Sequence, residues 1–188
     1  YEVVEQIVSH KVEIGFTGTK TSNPKCVFSD FAEDRLVVIT PNNQKFAPFR
    51  HGKIPVRQLL YEPFISREKG SGTRNETETF LREMGISPSD LNIAVEVRST
   101  EGIKEMVSAG IGIAVVSRSA CEDYCRFNKI LMFDFDNVSL KRKLYLVKHK
   151  SGILSPLAQA FHDFSRTFYQ SGNWQYPVWE GKCVPATV

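Results

Sequence analysis

The sequence predicts an α/β protein with a parallel or mixed sheet. Three observations carry that expectation. Apolar runs of strand length, such as Leu36-Val37-Val38-Ile39, alternate with amphipathic stretches of helical period. The connections between them are short and punctuated by Gly and Pro. A strand, turn and helix unit occurs at 63–84 and again, with different residues, at 93–109.

Taken in order, Val4, Ile7 and Val8 recur at helical spacing in residues 1–10, and residues 11–18 then alternate like a strand. Two further extended runs are expected at 27–31 and 35–40, the second closed by Pro41-Asn42-Asn43. A Lys-, Pro- and Gly-rich loop at 41–55 leads through a short helical piece at 56–60 to a strand at 63–67. Gly70-Ser71-Gly72-Thr73 opens a helix that turns Phe80, Leu81 and Met84 inward and ends at Gly85, with Thr73 and Glu76 at capping-box spacing. A strand at 93–97, a helix at 101–109 stopped by Gly110 and a buried-type strand at 111–116 follow. Next come a helix near 119–127 and strands at 130–135 and 143–147. Ser155-Pro156 starts a long amphipathic helix whose inward face is read as Leu157, Phe161, Phe164 and Phe168. From 171 to 188 the pattern dissolves into a tail of Gly, Trp, Pro and Tyr, a strap over the surface or a disordered end.

The 188 residues, 41% of them apolar and 24% charged, suffice for an ordinary core and exclude a disordered tail, a collagen-like rod and a disulfide-stapled miniprotein. A net charge of +3, evenly spread, is too small to mark a nucleic-acid surface, so DNA contact by this stretch itself is not expected. Apolar runs fall far short of the roughly 18 to 20 residues that cross a bilayer, and no membrane partner is expected. The chain opens on Tyr1 inside an amphipathic pattern, without initiator Met or secretory leader, and reads as a fragment or a processed chain. Cys26, Cys121, Cys125 and Cys183 lack the paired spacing of a zinc site and are expected to be free cytosolic thiols. Cys121 and Cys125, four apart on a helix, could instead share a face and sense redox state.

The stretch from Phe64 to Arg74 carries the clearest chemistry. A strand that turns through glycines into a helix leaves backbone N–H groups and the positive end of the helix dipole facing outward. Small hydroxyl residues such as Thr73 can add donors without filling the space, and Gly72 lets a ligand approach the backbone. The other reading is a Gly-rich turn whose hydroxyls only cap the helix. Hydroxyls at further strand ends, Thr17, Thr40, Ser99 and Thr100, could converge with Ser66 and this turn on one cleft, since ligands of open α/β sheets collect at carboxyl ends of strands. No dinucleotide fingerprint, Walker lysine, nucleophile elbow or metal-ligand cluster is present. The expectation is binding chemistry with no catalytic group, no metal and no cofactor.

Four segments in the right order and spacing resemble the effector-binding domain of LysR-type transcriptional regulators. They are Val12-Glu13-Ile14-Gly15-Phe16, residues 34–41, residues 62–74 and, the most specific, Ser99-Thr100-Glu101-Gly102-Ile103-Lys104-Glu105-Met106-Val107-Ser108-Ala109-Gly110-Ile111-Gly112-Ile113-Ala114. The resemblance covers residues 1 to about 170. It implies two Rossmann-like subdomains of the type II periplasmic-binding-protein kind, with the ligand in a cleft between them. Subdomain I is expected at 1–59 and 135–170, and subdomain II at 60–134.

Motif position implies effector contacts at Thr40, Ser66 and Thr100, with Ser99 adjacent and Thr17 a weaker match. The turn at Gly70 to Thr73 is similar to the branch governing sulfur assimilation and carbon fixation, which implies a sulfate-, phosphate- or carboxylate-bearing effector. The resemblance further implies a cytoplasmic, non-enzymatic regulator that forms dimers or tetramers through the helices at 1–10 and 73–84. Promoter DNA would be contacted only by a winged helix-turn-helix that this sequence lacks, as it lacks the first strand, first helix and second strand of subdomain I. The competing reading is a periplasmic type II anion-binding protein, which uses a similar Gly-Ser-Gly-Thr turn.

Overall fold

A computed structural model describes residues 2–49, 52–136 and 138–170; the tail at 171–188 lies outside the described residues. The elements are α1 (Glu2–Val8), β1 (Ile14–Thr17), β2 (Cys26–Pro41), β3 (Lys53–Ile54), β4 (Phe64–Arg67), α2 (Gly72–Glu83), β5 (Ile93–Val97), α3 (Thr100–Ser108), β6 (Ala114–Ser117), α4 (Arg118–Arg126), β7 (Ile130–Phe135), β8 (Lys141–His149) and α5 (Pro156–Gln170). Short 3-10 turns occupy Gln44–Phe49, Val56–Leu60 and Pro88–Asp90.

The two runs expected at 27–31 and 35–40 form one continuous strand, β2. The residues between them, Ala32-Glu33-Asp34, are not strand-breaking, and the junction is held by ion pairs: Asp34 by Arg142 at 2.7 Å and Arg35, the first residue of the second run, by Asp134 at 2.9 Å.

The chain divides into two compact units. Among the described residues, one contains residues up to 34 and 142–170, the other residues 35–141. These changeovers differ from the 59/60 and 134/135 positions expected for the subdomains.

In the first unit β1 pairs antiparallel with β8, Ile14 opposite Lys148 and Thr17 opposite Tyr145. Ser155 caps α5 through its hydroxyl, which accepts from the Ala158 N–H at 3.3 Å, while Glu13 accepts from the Ser155 N–H and hydroxyl at 2.6 and 2.8 Å. These bonds hold the Glu13 carboxyl below its ordinary range. The face of α5 expected to point inward does not: Leu157 is 81% and Phe164 61% exposed, whereas His162 and Ser165 are buried. Helical period decides which residues share a face, and the surrounding chain decides which face is covered.

In the second unit the latter half of β2 is paired on both edges. It runs antiparallel to β6 (Leu36 opposite Ser117, Ile39 opposite Ala114) and antiparallel to β7 (Val38 opposite Phe133, Pro41 opposite Ile130), and β3 runs parallel to β7. β4 and β5 are parallel, and a parallel bridge from Phe64 to Ile113 joins β4 to the start of β6.

Side chains alternate between two cores. Leu36, Val38 and Phe64 pack with Phe80 and Leu81 of α2, while Val37, Ile39 and Ile65 pack with Ile103 and Val107 of α3 and Tyr124 of α4. Met84, expected inward, lies just past the end of α2 and is largely exposed. Gly112 is required by close approach, because a Cβ there would meet the Pro63 carbonyl oxygen at van der Waals overlap.

Lys104 of α3 is buried and reaches Glu101 at 2.7 Å and Asp123 of α4 at 3.1 Å, with its ammonium 4.6 Å from the Tyr124 ring. Burial disfavours its charge, but these carboxylates outweigh burial and raise its pKa. Burial likewise opposes ionisation of Asp123, yet the bonds from Lys104 hold it below its ordinary 3.8.

Two outcomes follow from this packing. Gly112→Ala should cost about 2 kcal/mol of stability in urea unfolding, since the backbone of Pro63 has to move. Asp123→Asn should cost about 0.5 kcal/mol at neutral pH, because the carboxylate is largely exposed and screened. A carboxyl with a depressed folded pKa stabilises above its unfolded pKa and loses that contribution in acid. The urea midpoints of wild type and Asp123→Asn should therefore converge as pH falls below 3.8.

Candidate functional site

The parallel bridge and the β4–β5 pairing make β5, β4 and β6 three parallel strands whose carboxyl ends face the same way. Each feeds a helix: β4 into α2, β5 into α3 and β6 directly into α4. Three helix N-termini therefore collect at one end of the sheet, the place where open α/β sheets bind ligands. All three N-cap residues are serines, Ser71, Ser99 and Ser117.

Only Ser99 uses its hydroxyl as a cap, accepting from the Gly102 N–H at 3.3 Å. Ser71 and Ser117 make no side-chain cap bond, and Ser117 shares its hydroxyl with Ser119 at 2.9 Å. The first-turn N–H groups of α2 and α4 are thus without side-chain capping, which leaves donors and dipole for an anion. The expected capping box from Thr73 to Glu76 is absent. The helix starts two residues earlier than that motif requires, at Gly72, so Thr73 lies inside the first turn.

Cationic side chains border these termini. Arg67, at the end of β4, donates to Glu68 at 2.9 and 3.1 Å and to the Thr100 hydroxyl at 3.4 Å, tying the end of β4 to the start of α3. Burial works against the Glu68 carboxylate, but the hydrogen bonds and charge of Arg67 prevail and lower its pKa. Arg118 in the first turn of α4 lies 3.8 Å from Glu122.

The structure brings Ser66, Gly72, Thr73, Ser99 and Thr100 to this end of the second unit. Ser66 is buried and donates to the Arg67 carbonyl at 3.1 Å. Thr40 is placed elsewhere. β2 runs antiparallel to β6, so its carboxyl end lies at the amino ends of β4, β5 and β6. There Thr40 is wholly buried, with its hydroxyl donating to the Pro41 carbonyl at 3.1 Å. Thr17 belongs to the first unit and closes a local turn with Thr19 at 3.2 Å. The expectation of converging strand ends holds for the parallel strands and fails for Thr40, since sequence does not report strand direction. Sequence reasoning missed Arg67, Ser71 and Ser117 as site residues. The signal for Ser117 was the apolar run ending in Ser117-Arg118-Ser119, a strand passing straight into a helix.

The expectation of free thiols is corrected at Cys125. Among the described residues Cys26 and Cys121 are free, whereas Cys125 is disulfide-bonded. Cys121 and Cys125 therefore do not form a switch with each other. Cys121 is fully buried, donates weakly to the carbonyls of Ser117 and Arg118, and burial pushes its thiol up to about 12. Among the described residues no cluster of three or more His, Cys, Asp or Glu could hold a metal ion, and no helix is long and apolar enough to cross a membrane.

The family model described as LysR substrate binding domain matches residues 1–170. The chain belongs to the LysR substrate-binding-domain family. Among curated members, the transcriptional activator CmpR of Synechocystis is 30% identical over 163 residues, 87% of this chain and 52% of its own. The regulator CysL of Bacillus subtilis is 32% identical over 158 residues, 84% of this chain and 49% of its own. The chain thus spans about half the length of these relatives. Its fold is similar to the effector binding domain of QuiR in complex with shikimate, with a TM-score of 0.79 at 20% identity, covering 90% of this chain and 78% of that one. It is also similar to the Synechocystis CcmR regulatory domain in complex with 2-PG, with a TM-score of 0.78 at 24% identity, covering 90% and 79%. The fold is therefore the type II periplasmic-binding-protein-like fold of LysR effector-binding domains.

The buried thiol gives a direct check on this geometry. Cys121 should resist iodoacetamide at pH 8 in the folded protein and be alkylated once the chain is unfolded in urea, as read by mass spectrometry.

Proposed function

We propose that this chain is the ligand-sensing part of a cytoplasmic transcriptional regulator that binds a small anion at the carboxyl ends of β4, β5 and β6. The observation that carries the reading is the first turn of α2. It is opened by Gly72, its N-cap Ser71 makes no side-chain cap bond, and it stands beside Arg67 and Thr100. A sulfate, phosphate or carboxylate accepts from the α2 backbone N–H groups and is met by the hydroxyls of Ser66, Thr73, Ser99 and Thr100.

No group in this set is placed as a nucleophile with an adjacent base, so the chemistry is recognition. The curated relatives named above are regulators rather than solute receptors, which favours this reading over a periplasmic one. Promoter DNA is contacted by a part of the protein beyond this chain, and self-association uses α1 and α2. Signalling requires that the ligand favour one arrangement of the protein over another.

The test is a thermal-shift screen of the full-length protein against sulfate, phosphate, thiosulfate, O-acetylserine, sugar phosphates, 2-PG and shikimate. One anion should raise the melting temperature in a concentration-dependent way, with stabilisation of about 2.7 kcal/mol at a hundred times its Kd. Thr100→Ala and Gly72→Val should each weaken that anion at least tenfold. Absence of any shift with all of these ligands would overturn the anion reading and leave the fold untouched.

A further inference from the structure

The strand-end site is continuous with a cavity of about 240 Å³ that runs between α2 and the β4–β5 pair. Ser66, Arg67, Thr73 and Arg74 line it where β4 ends and α2 begins. Its apolar lining comes from Phe64, Leu91, Ile93 and Val115. Phe64 precedes Ser66 by two residues on β4 and stands opposite Ile93, at the amino ends of the two parallel strands. With a rise of about 3.3 Å per residue, the polar end of the cavity and the Phe64–Ile93 end lie roughly 6 to 7 Å apart.

The charges in the lining favour an anion at the polar end. The ionised groups there are Arg67, Arg74 and Glu78. Glu78 accepts from Arg74 at 2.7 Å and from Arg82 at 3.1 Å, so its charge is met twice. Arg74 also donates to Glu96 at 2.6 Å and to the Arg67 carbonyl at 3.0 Å. The bonds to Glu78 and Glu96 raise its pKa, so it stays charged. An ammonium entering here would meet two guanidinium groups. An anion is met by both and by the first-turn N–H groups of α2, which no N-cap side chain engages.

Beyond that end the cavity asks for apolar atoms. The Ser66 hydroxyl donates to the Arg67 carbonyl at 3.1 Å and the Thr77 hydroxyl to the Thr73 carbonyl at 2.8 Å, so the protons of both are already placed. A polyhydroxylated body would press its hydroxyls against Phe64, Leu91, Ile93 and Val115 without partners, which is costly. The volume sets the size. An apolar cavity of about 150 Å³ takes benzene, so this one admits a six-membered ring with an acid group attached, and the 6 to 7 Å span matches the length of such a molecule.

We infer that the ligand of this site is a small organic acid with a compact apolar body. Its carboxylate is held at the first turn of α2, and a group the size of a six-membered ring lies against Phe64, Leu91, Ile93 and Val115. This rests on the anion reading above and names the class of anion.

The experiment is calorimetric titration of the full-length protein with sulfate, acetate, benzoate, cyclohexanecarboxylate and benzyl alcohol. Benzoate and cyclohexanecarboxylate should bind at least tenfold more tightly than acetate, because the ring leaves water. Benzyl alcohol, which has the ring without the charge, should bind at least tenfold more weakly than benzoate. Ile93→Trp and Ser89→Trp add bulk beside the cavity from positions that are already exposed. Each should bring benzoate down to the affinity of acetate in a protein that still melts cooperatively. Benzoate no tighter than acetate while acetate or sulfate binds, or benzoate affinity unchanged in both variants, would overturn the apolar body and leave the anion reading standing. Benzyl alcohol as tight as benzoate, or no anion bound by a cooperatively melting protein, would overturn the anion reading and this class of ligand with it.

Discussion

The second unit depends on one strand segment that has no free side. Leu36 to Thr40 of β2 are at most 1% exposed, with Leu36 to Ile39 paired to β6 on one edge and Val38 to Pro41 paired to β7 on the other. Both faces are covered, one by the core under α2 and the other by the core under α3 and α4. Each of the four aliphatic side chains contributes roughly 1.5 to 3 kcal/mol by leaving water, which is a large share of the net stability of a domain. With Val38 and Ile39 in register with both neighbours, β6 and β7 have little freedom to slip.

The direction of that strand governs the chemistry. Because β2 runs against β6, the helices that follow β4, β5 and β6 all start at the end opposite Thr40. Three N-termini with serine at the N-cap position then stand together, with Arg67 bridging from β4 to Thr100 of α3. Their shared orientation points the positive ends of three helix dipoles toward this end of the unit. The Lys104 cluster on the flank of α3 and α4 fixes two of those helices to each other without entering the site.

Much of the fold was legible because local signals agreed with tertiary demands. Gly85 and Gly110 end α2 and α3 with the positive φ that only Gly adopts freely, and Ser155-Pro156 starts α5 as a cap and first helical residue should. Where local and tertiary demands parted, the sequence misled. Ala32-Glu33-Asp34 looked like an interruption and is instead part of one strand, with Asp34 held by Arg142. Phe161 and Phe164 looked like core and lie exposed, since period identifies a face without saying what covers it.

By itself the sequence determined the alternation of strands and helices, the glycine-opened turn before α2, and the family resemblance. These are properties of residue type and spacing within a few positions, which short-range sterics and hydrogen bonding dictate. Strand direction, the gathering of three uncharged serine caps, the burial of Thr40 and the cavity beneath α2 were decided only by tertiary structure. Each depends on pairings between segments tens of residues apart, and such pairings are selected by the joint packing of the two cores, which no local pattern encodes.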